Sequence, residues 1–266
     1  MNNLLRADFY TLIKSKLTYI LLGICVGLPI FMLILYVAMD KIFAADLMEG
    51  AEAFGMTSLF TGRTIMFSNF SLTNNVGLII PIFVGIFNLL DVRHGTIRNK
   101  IILGESKTKV YLSHLIVSVV LCVVASMVSF LVLTAGSAAF FPYGEEFNSA
   151  EVANFIRCFV IGVLLFVYVA SLSTFFAMVT KSMPIAITFT LLISVGLGLI
   201  GSLSGFITNE TYQKLFYILP TYVSTVVSTS GEITTELFLY GLFSFLFFIA
   251  LNTVVGIVLF KKNDLK

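Results

Sequence analysis

Two histidines, three cysteines, one pair of adjacent glutamates and one charged connection are the places where this chain could carry chemistry. His94 and His114 lie 20 residues apart with no HExxH pattern, so their spacing does not make a metal site, and a solvated loop and an interfacial helix are their ordinary settings. Cys25, Cys122 and Cys158 fall inside apolar runs, without a CxxC pair or a His at ligand spacing, and read as small packing residues. Glu145 and Glu146 could share acid–base work, but no Arg follows four residues on and the pair sits in a loop. Gly201-Ser-Leu-Ser-Gly205 has Leu where a GxSxG nucleophile elbow needs Ser. No GxxxxGK[ST] occurs, so the chain has no phosphate-binding loop for ATP. These patterns assign it no catalytic residue, no metal ligand and no cofactor of its own.

The charged connection is more informative. It reads Asp91-Val-Arg93-His-Gly95-Thr96-Ile97-Arg98-Asn99-Lys100-Ile101-Ile-Leu-Gly104-Glu-Ser106-Lys107-Thr-Lys-Val-Tyr111-Leu-Ser-His114, and five basic residues in it face two acids. The stretch from Thr96 to Leu103 predicts a short amphipathic helix, capped by Thr96 and stopped by Gly104, with Ile97, Ile101 and Ile102 as its apolar face and Thr96 and Arg98 as polar contacts. Gly104 and Ser106 supply a turn after it. A short charged helix held between two apolar segments has the shape needed to dock a soluble partner.

The elements that must hold this connection follow from composition. Of 266 residues 58% are hydrophobic and 11% charged, and the mean hydropathy of +1.03 lies outside the soluble range. The chain is therefore an integral membrane protein, and a soluble enzyme is excluded. Leu17 to Met39, Thr64 to Leu90, Val110 to Gly144, Cys158 to Thr180, Ser182 to Asn209 and Leu237 to Phe260 contain no Asp, Glu, Lys or Arg. Such continuous runs argue for helices rather than a barrel, whose strands alternate. They predict one all-α permease domain over 1–266 with six spans near 17–39, 70–90, 110–140, 158–180, 184–207 and 237–260. Too little chain remains for a second enzymatic domain, and a net charge of +2 is too small for a nucleic-acid binder.

Basic residues give the orientation. With the N-terminus inside, twelve of the sixteen Lys and Arg fall on inner segments and ten of the fourteen acids on outer ones, which predicts both termini in the cytoplasm. The N-terminal leader has no cleavage site and reads as a retained anchor. Leu5, Phe9, Leu12 and Ile13 share one face opposite Arg6, Tyr10 and Lys14, so the leader is either a helix lying in the membrane interface or a cytoplasmic extension of the first span. Pro29 predicts a kink. The polar stretch 68–75 shortens the second span, whose helix is expected to begin before Val76 with 64–75 held in protein or at the interface. Pro184 should open the fifth span, and the apolar stretch 217–227 predicts a re-entrant or interfacial helix on the outer face. With no Trp, Tyr111, Tyr143, Tyr212, Tyr217 and Tyr240 are expected as interfacial anchors. Gly23-x-x-x-Gly27, Gly196, Gly198 and Gly201-x-x-x-Gly205 fit close helix contacts. The span interiors lack the charges from which ion relays are built.

The acid four residues before Gly95, then Gly95-Thr-Ile-Arg-Asn-Lys100, Gly104-x-Ser106-Lys107 and Tyr111-Leu-Ser113, together with the six-span layout, resemble the permease subunits of type-2 ABC exporters, especially those of Gram-positive bacteria. Lys107 stands where those subunits often carry Arg, and His114 where they often carry Lys. The resemblance implies that Asp91, Arg93, Gly95, Thr96, Ile97, Arg98, Asn99, Lys100, Ile101, Gly104, Ser106 and Lys107 form a coupling element received by a separate ATP-binding subunit, which would hold ATP and Mg. It implies a homo- or heterodimer of permeases in a bacterial plasma membrane, with lipid as surroundings and no nucleic acid as partner. The expected function is ATP-driven export of an apolar or amphipathic substrate, an antimicrobial peptide or lipid-like molecule, to which the 27 Phe also point. A non-transporting membrane scaffold or sensor and an ion-coupled carrier are the alternatives.

Overall fold

The protein is described from a computed structural model that covers residues 2–46, 61–72, 76–144, 148–206 and 210–262. Its helices run α1 (Asn2–Lys14), α2 (Lys16–Asp46), α3 (Gly62–Phe67), α4 (Ile79–Arg93), α5 (Thr96–Ile102), α6 (Lys107–Phe140), α7 (Ser149–Thr180), α8 (Met183–Ser202), α9 (Glu210–Phe216), α10 (Pro220–Ser230) and α11 (Thr235–Lys262). Short 3-10 turns, Ser68–Phe70 and Leu203–Phe206, follow α3 and α8, and the described residues contain no strand. The fold is an all-α integral membrane architecture. Five helices, α2, α6, α7, α8 and α11, are long and apolar enough to cross a membrane, and α4, bent by 54° from α5, belongs to a sixth candidate pass.

α7 is the hub. It packs against α11, α6, α8 and α4 and is the most buried of the long helices. Its start is fixed by Asn148, whose side chain accepts from the Glu151 amide at 2.9 Å, so the helix begins well before the apolar run at Cys158. Its end is fixed by Lys181 in the left-handed region, φ 54°, and α8 begins two residues later at Met183 with Pro184 in its first turn as expected. α2 continues through Pro29 from Lys16 to Asp46. The three cysteines are free and buried.

The two ends of the bundle differ in chemistry. At one end Leu4 of α1, Ile97 of α5, Val110, Tyr111 and Leu115 of α6, Met178 of α7 and Phe260 of α11 form one apolar cluster. The chain therefore starts and finishes its helical course at the same end, as six passes require. At the other end Arg63 of α3 bridges Glu151 of α7 at 3.4 Å and Glu232, in the α10–α11 connection, at 2.6 Å. Tyr143 donates to Glu151 at 2.9 Å. Burial would lower the Arg63 pKa, but the hydrogen bonds and charges of Glu232 and Glu151 outweigh it and raise the pKa.

The second pass departs from expectation. Its helix does not extend above Ile79; α3 and the 3-10 turn enter from the Arg63 end as a separate piece, and the described residues between them and α4, 71–72 and 76–78, are not α-helical. Buried polar side chains explain the break. Asn69, fully buried, donates to the Ser126 carbonyl at 3.2 Å and accepts from Ser129 Oγ at 2.6 Å, both on α6. A Cβ on Gly77 would come within 2.2 Å of the Ser71 carbonyl oxygen, so residues 71 and 77 lie too close for a side chain at this position. Irregular backbone at this depth is tolerable only when enclosed by protein, and Ser68, Asn69, Ser71 and Leu72 are all buried. Residues 64–72 are thus held in protein, as one of the two expected settings required; Thr73 to Asn75 lie outside the described residues.

Other expectations are corrected. Gly23, Gly27, Gly196 and Gly198 have no atom within 4 Å of a built Cβ, so they make no close helix contact within this chain. Close approaches occur elsewhere, at Gly136 against Leu33, Gly162 against Phe70, Gly241 against Val223 and Gly256 against Tyr111; of the expected positions Gly201 does meet a neighbour, Tyr222. Tyr111 is buried in the bundle and is no interfacial anchor. On α1 the buried stripe is Leu4, Asp8 and Leu12, while Ile13 is 60% exposed. Phe67, Phe70 and Phe130, with Phe155 and Phe159 beside them, form a packed aromatic cluster that seats the broken pass against α6 and α7, so the Phe content is partly a packing device. α10, over the apolar 217–227 stretch, buries Val223 and Val227 against the bundle. Glu145 and Glu146 lie outside the described residues.

Candidate functional site

The connection from Asp91 to Lys107 is built as two turns around one short helix. α4 ends at Arg93, and Gly95 turns the chain in the left-handed region, φ 69°, where a side chain is strained. Gly95 is therefore the residue that caps α5; Thr96 is already helical and makes no side-chain cap. α5 stops in a Schellman arrangement, with Gly104 at φ 94°, its N–H on the Ile101 carbonyl at 3.0 Å and the Glu105 N–H on the Lys100 carbonyl at 3.2 Å. Ser106 then caps α6 by accepting from the Lys109 amide at 3.4 Å. The expected helix is present, and Gly104 stops it as the spacing required.

Which face it offers is different. Ile97 is buried in the cluster with Leu4, Tyr111, Met178 and Phe260, and Ile101 packs beside it. Those two isoleucines bind α5 to its own chain and are withdrawn from any docking surface. Ile102 and Leu103 are 71% and 84% exposed, and with Arg98 and Asn99 they form the outward surface. Lys107 turns back, its Nζ donating to the Lys261 carbonyl at 3.0 Å.

Lys100 also turns inward. Its ammonium donates to Asp8 Oδ1 at 2.5 Å and to Asp91 Oδ2 at 3.2 Å, and lies 3.5 Å from His114 Nε2. Ser113 Oγ donates to the other Asp8 oxygen at 2.5 Å, and His114 Nε2 lies 3.4 Å from Asp91. One cation on α5 is thereby bound to α1, α4 and α6, with its side chain only 12% exposed and that of Asp8 4%. Asp8, Asp91 and His114 could offer a metal three atoms within 4.8 Å of one another, but the Lys100 ammonium is the cation among them. Compared with family models and with curated proteins, the chain matches none. What can be said of the site therefore rests on its geometry.

That geometry ties α5 to its neighbours through charge. A buried charge held by two carboxylates resists displacement, because separating it leaves unpaired ions in a poorly solvated place. Through this one ammonium α5 is held to α1, α4 and α6 together. Of the twelve residues expected to act here, Asp91, Ile97, Lys100 and Ile101 are turned to the chain's own interior, and Arg93, Arg98 and Asn99 face outward. Gly95, Gly104 and Ser106 shape the turns. Ser113 and His114, at the far end of the connection, join the site, and Asp8 is the member that the connection's own sequence does not contain. The signal for Asp8 is its place four residues from both Leu4 and Leu12, an acid on the buried stripe of a helix.

Proposed function

We propose that the chain is the permease subunit of an ATP-driven exporter that takes its energy from a separate ATP-binding subunit docked on α5. The observation that carries this reading is the division of α5 into an outward surface, Arg98, Asn99, Ile102 and Leu103, and an inward anchor, Lys100, tied to three other helices. Large apolar side chains on a surface helix invite a protein partner. On this reading α1, α5 and both termini face the cytoplasm, ATP and Mg are held by the partner, and two permeases enclose the path. Closure of the ATPases pushes α5, and the ion cluster hands the displacement to α4 and α6. The buried charges Asp8, Arg63 and Glu151 lie toward the two ends, which supports a cargo that is apolar or amphipathic, such as a peptide or lipid-like molecule.

Leu103→Asp tests it. The residue is exposed, so the fold should be untouched, whereas a carboxylate buried at the docking contact costs about 3–5 kcal/mol, a hundredfold or more in affinity. The variant should insert normally and lose a co-purifying ATPase and export in the native host, while Lys109→Ala stays near wild type. Equal ATPase recovery by Leu103→Asp and the parent would remove α5 as the docking element.

A further inference from the structure

Beside α5 lies a cavity of about 230 Å³, lined by Val92, Arg93, Gly95, Ile97, Arg98, Met178, Lys181 and Phe260. Three cations and no acid stand around it. The cations come from three places, the end of α4, α5 and the turn between α7 and α8, while the floor is apolar, with Ile97, Met178 and Phe260 all at or below 2% exposure. Neither Arg93 nor Arg98 forms an ion pair among the described residues, although carboxylates engage Lys100 on the same helix. Among the described residues no carboxylate engages either guanidinium.

The level of the cavity indicates which anion. Arg93 is the last residue of α4, Lys181 joins two apolar helices, and Phe260 directly precedes Lys261 and Lys262 at the end of α11. Apolar spans give way to charge at this level, where lipid headgroups lie. The volume is below the ~300–1,000 Å³ typical of sites for drug-sized ligands and suits a phosphate with its glycerol. Basic pockets between helices at a membrane face are a known form of anionic-lipid recognition. We propose that this cavity binds the phosphate of an anionic phospholipid, with Arg93, Arg98 and Lys181 on the phosphate and Ile97, Met178 and Phe260 under the start of the acyl chains. A lipid seated there bridges α5 to the α7–α8 turn. The inference needs only the membrane-spanning fold and stands or falls separately from ATPase docking.

The test uses the full-length protein in neutral detergent, titrated with dioleoyl phosphatidylglycerol or dioleoyl phosphatidylcholine and read by native mass spectrometry of bound lipid. Phosphatidylglycerol should bind saturably and phosphatidylcholine should not. Each cation removed should weaken binding about fivefold, so Arg93→Ala with Arg98→Ala loses about 25-fold and addition of Lys181→Ala about a hundredfold. Arg93→Lys with Arg98→Lys should stay within a few-fold of the parent, which separates loss of charge from loss of fold. Equal phosphatidylglycerol retention by the parent and the triple Ala variant would overturn the proposal, as would equal binding of the two lipids or loss of binding in the Lys variant. Displacement of the lipid by millimolar inorganic phosphate would reassign the cavity to a soluble anion. If the triple Ala variant kept phosphatidylglycerol but lost a co-purifying ATPase, the cations would belong to a protein contact and the lipid site would be refuted.

Discussion

Replacing Lys100 with Met removes the one ammonium from a site that contains two carboxylates, and the cost can be worked from the geometry. The ligand oxygens of Asp8 and Asp91 lie no more than 4.8 Å apart. At that separation, with an effective dielectric constant of about 20, two bare carboxylates repel by about 3.5 kcal/mol. This agrees with the about 3–5 kcal/mol expected when one partner of a buried ion pair is deleted. The penalty is felt where helices can separate to relieve it, namely where α1 and α5 dock on α6. Their local opening should become easier by about 3.5 kcal/mol, a roughly 300-fold rise in the exposed fraction. The assay is amide hydrogen exchange of the full-length protein in lipid nanodiscs, followed on peptides covering 2–14 and 95–106. Lys100→Met should speed exchange there by two to three orders of magnitude and leave the centre of α7 unchanged. A triple variant, Asp8→Asn, Asp91→Asn and Lys100→Met, carries no charge in the cluster and should recover most of the protection. Exchange in Lys100→Met within about threefold of the parent would refute the idea that this cation holds the helix, since the repulsion allows no such small effect.

Two further outcomes follow from other parts of the bundle. Gly77→Ala forces a methyl to 2.2 Å from the Ser71 carbonyl oxygen and should lower the yield of folded protein sharply, whereas Gly198→Ala meets no atom within 4 Å and should be silent when the monomer is scored by size-exclusion chromatography; equal yields would refute the close approach of Gly77 to Ser71. In a background with Cys25, Cys122 and Cys158 replaced, Glu232→Cys should react with an impermeant maleimide in intact cells and Ile102→Cys should not, and the reverse pattern would overturn the cytoplasmic placement of α5.

Much of the architecture was legible because membrane spans depend on a single property, apolar length, which a sequence states openly. The ends were less legible where a side chain far along the chain decides them. α7 starts at Ser149 because Asn148 caps it and because Arg63 receives Glu151, and no local pattern contains that second fact. The short helix after Asp91 was legible from Gly95 and Gly104, but its facing was not. Ile97, Ile101 and Ile102 form one apolar set by composition, and only the pocket made by Leu4, Tyr111 and Phe260 decides that two of them turn inward. Likewise Lys100 reads as one more surface cation until Asp8, 92 residues away, is brought to it. Gly23 and Gly27 meet no neighbour for a related reason. Spacing names a helix face, and on α2 that face meets no neighbour within the chain.

The broken second pass constrains how the chain can be made. α4 has 15 residues, about 22 Å of helix against a hydrocarbon layer of about 30 Å, so it cannot complete its crossing unaided. The piece that completes it, α3 with its 3-10 turn, carries Asn69, whose partners Ser126 and Ser129 are translated more than fifty residues later. Phe70 seats on Gly162, later still. During synthesis this stretch must therefore wait, at the membrane surface or within the insertion machinery, until α6 and the first half of α7 have emerged to receive it. Nascent chains truncated at residue 120 should leave an engineered cysteine at Asn69 open to an impermeant reagent, and chains extended past 180 should bury it; protection already at 120 would mean that lipid alone accepts the segment.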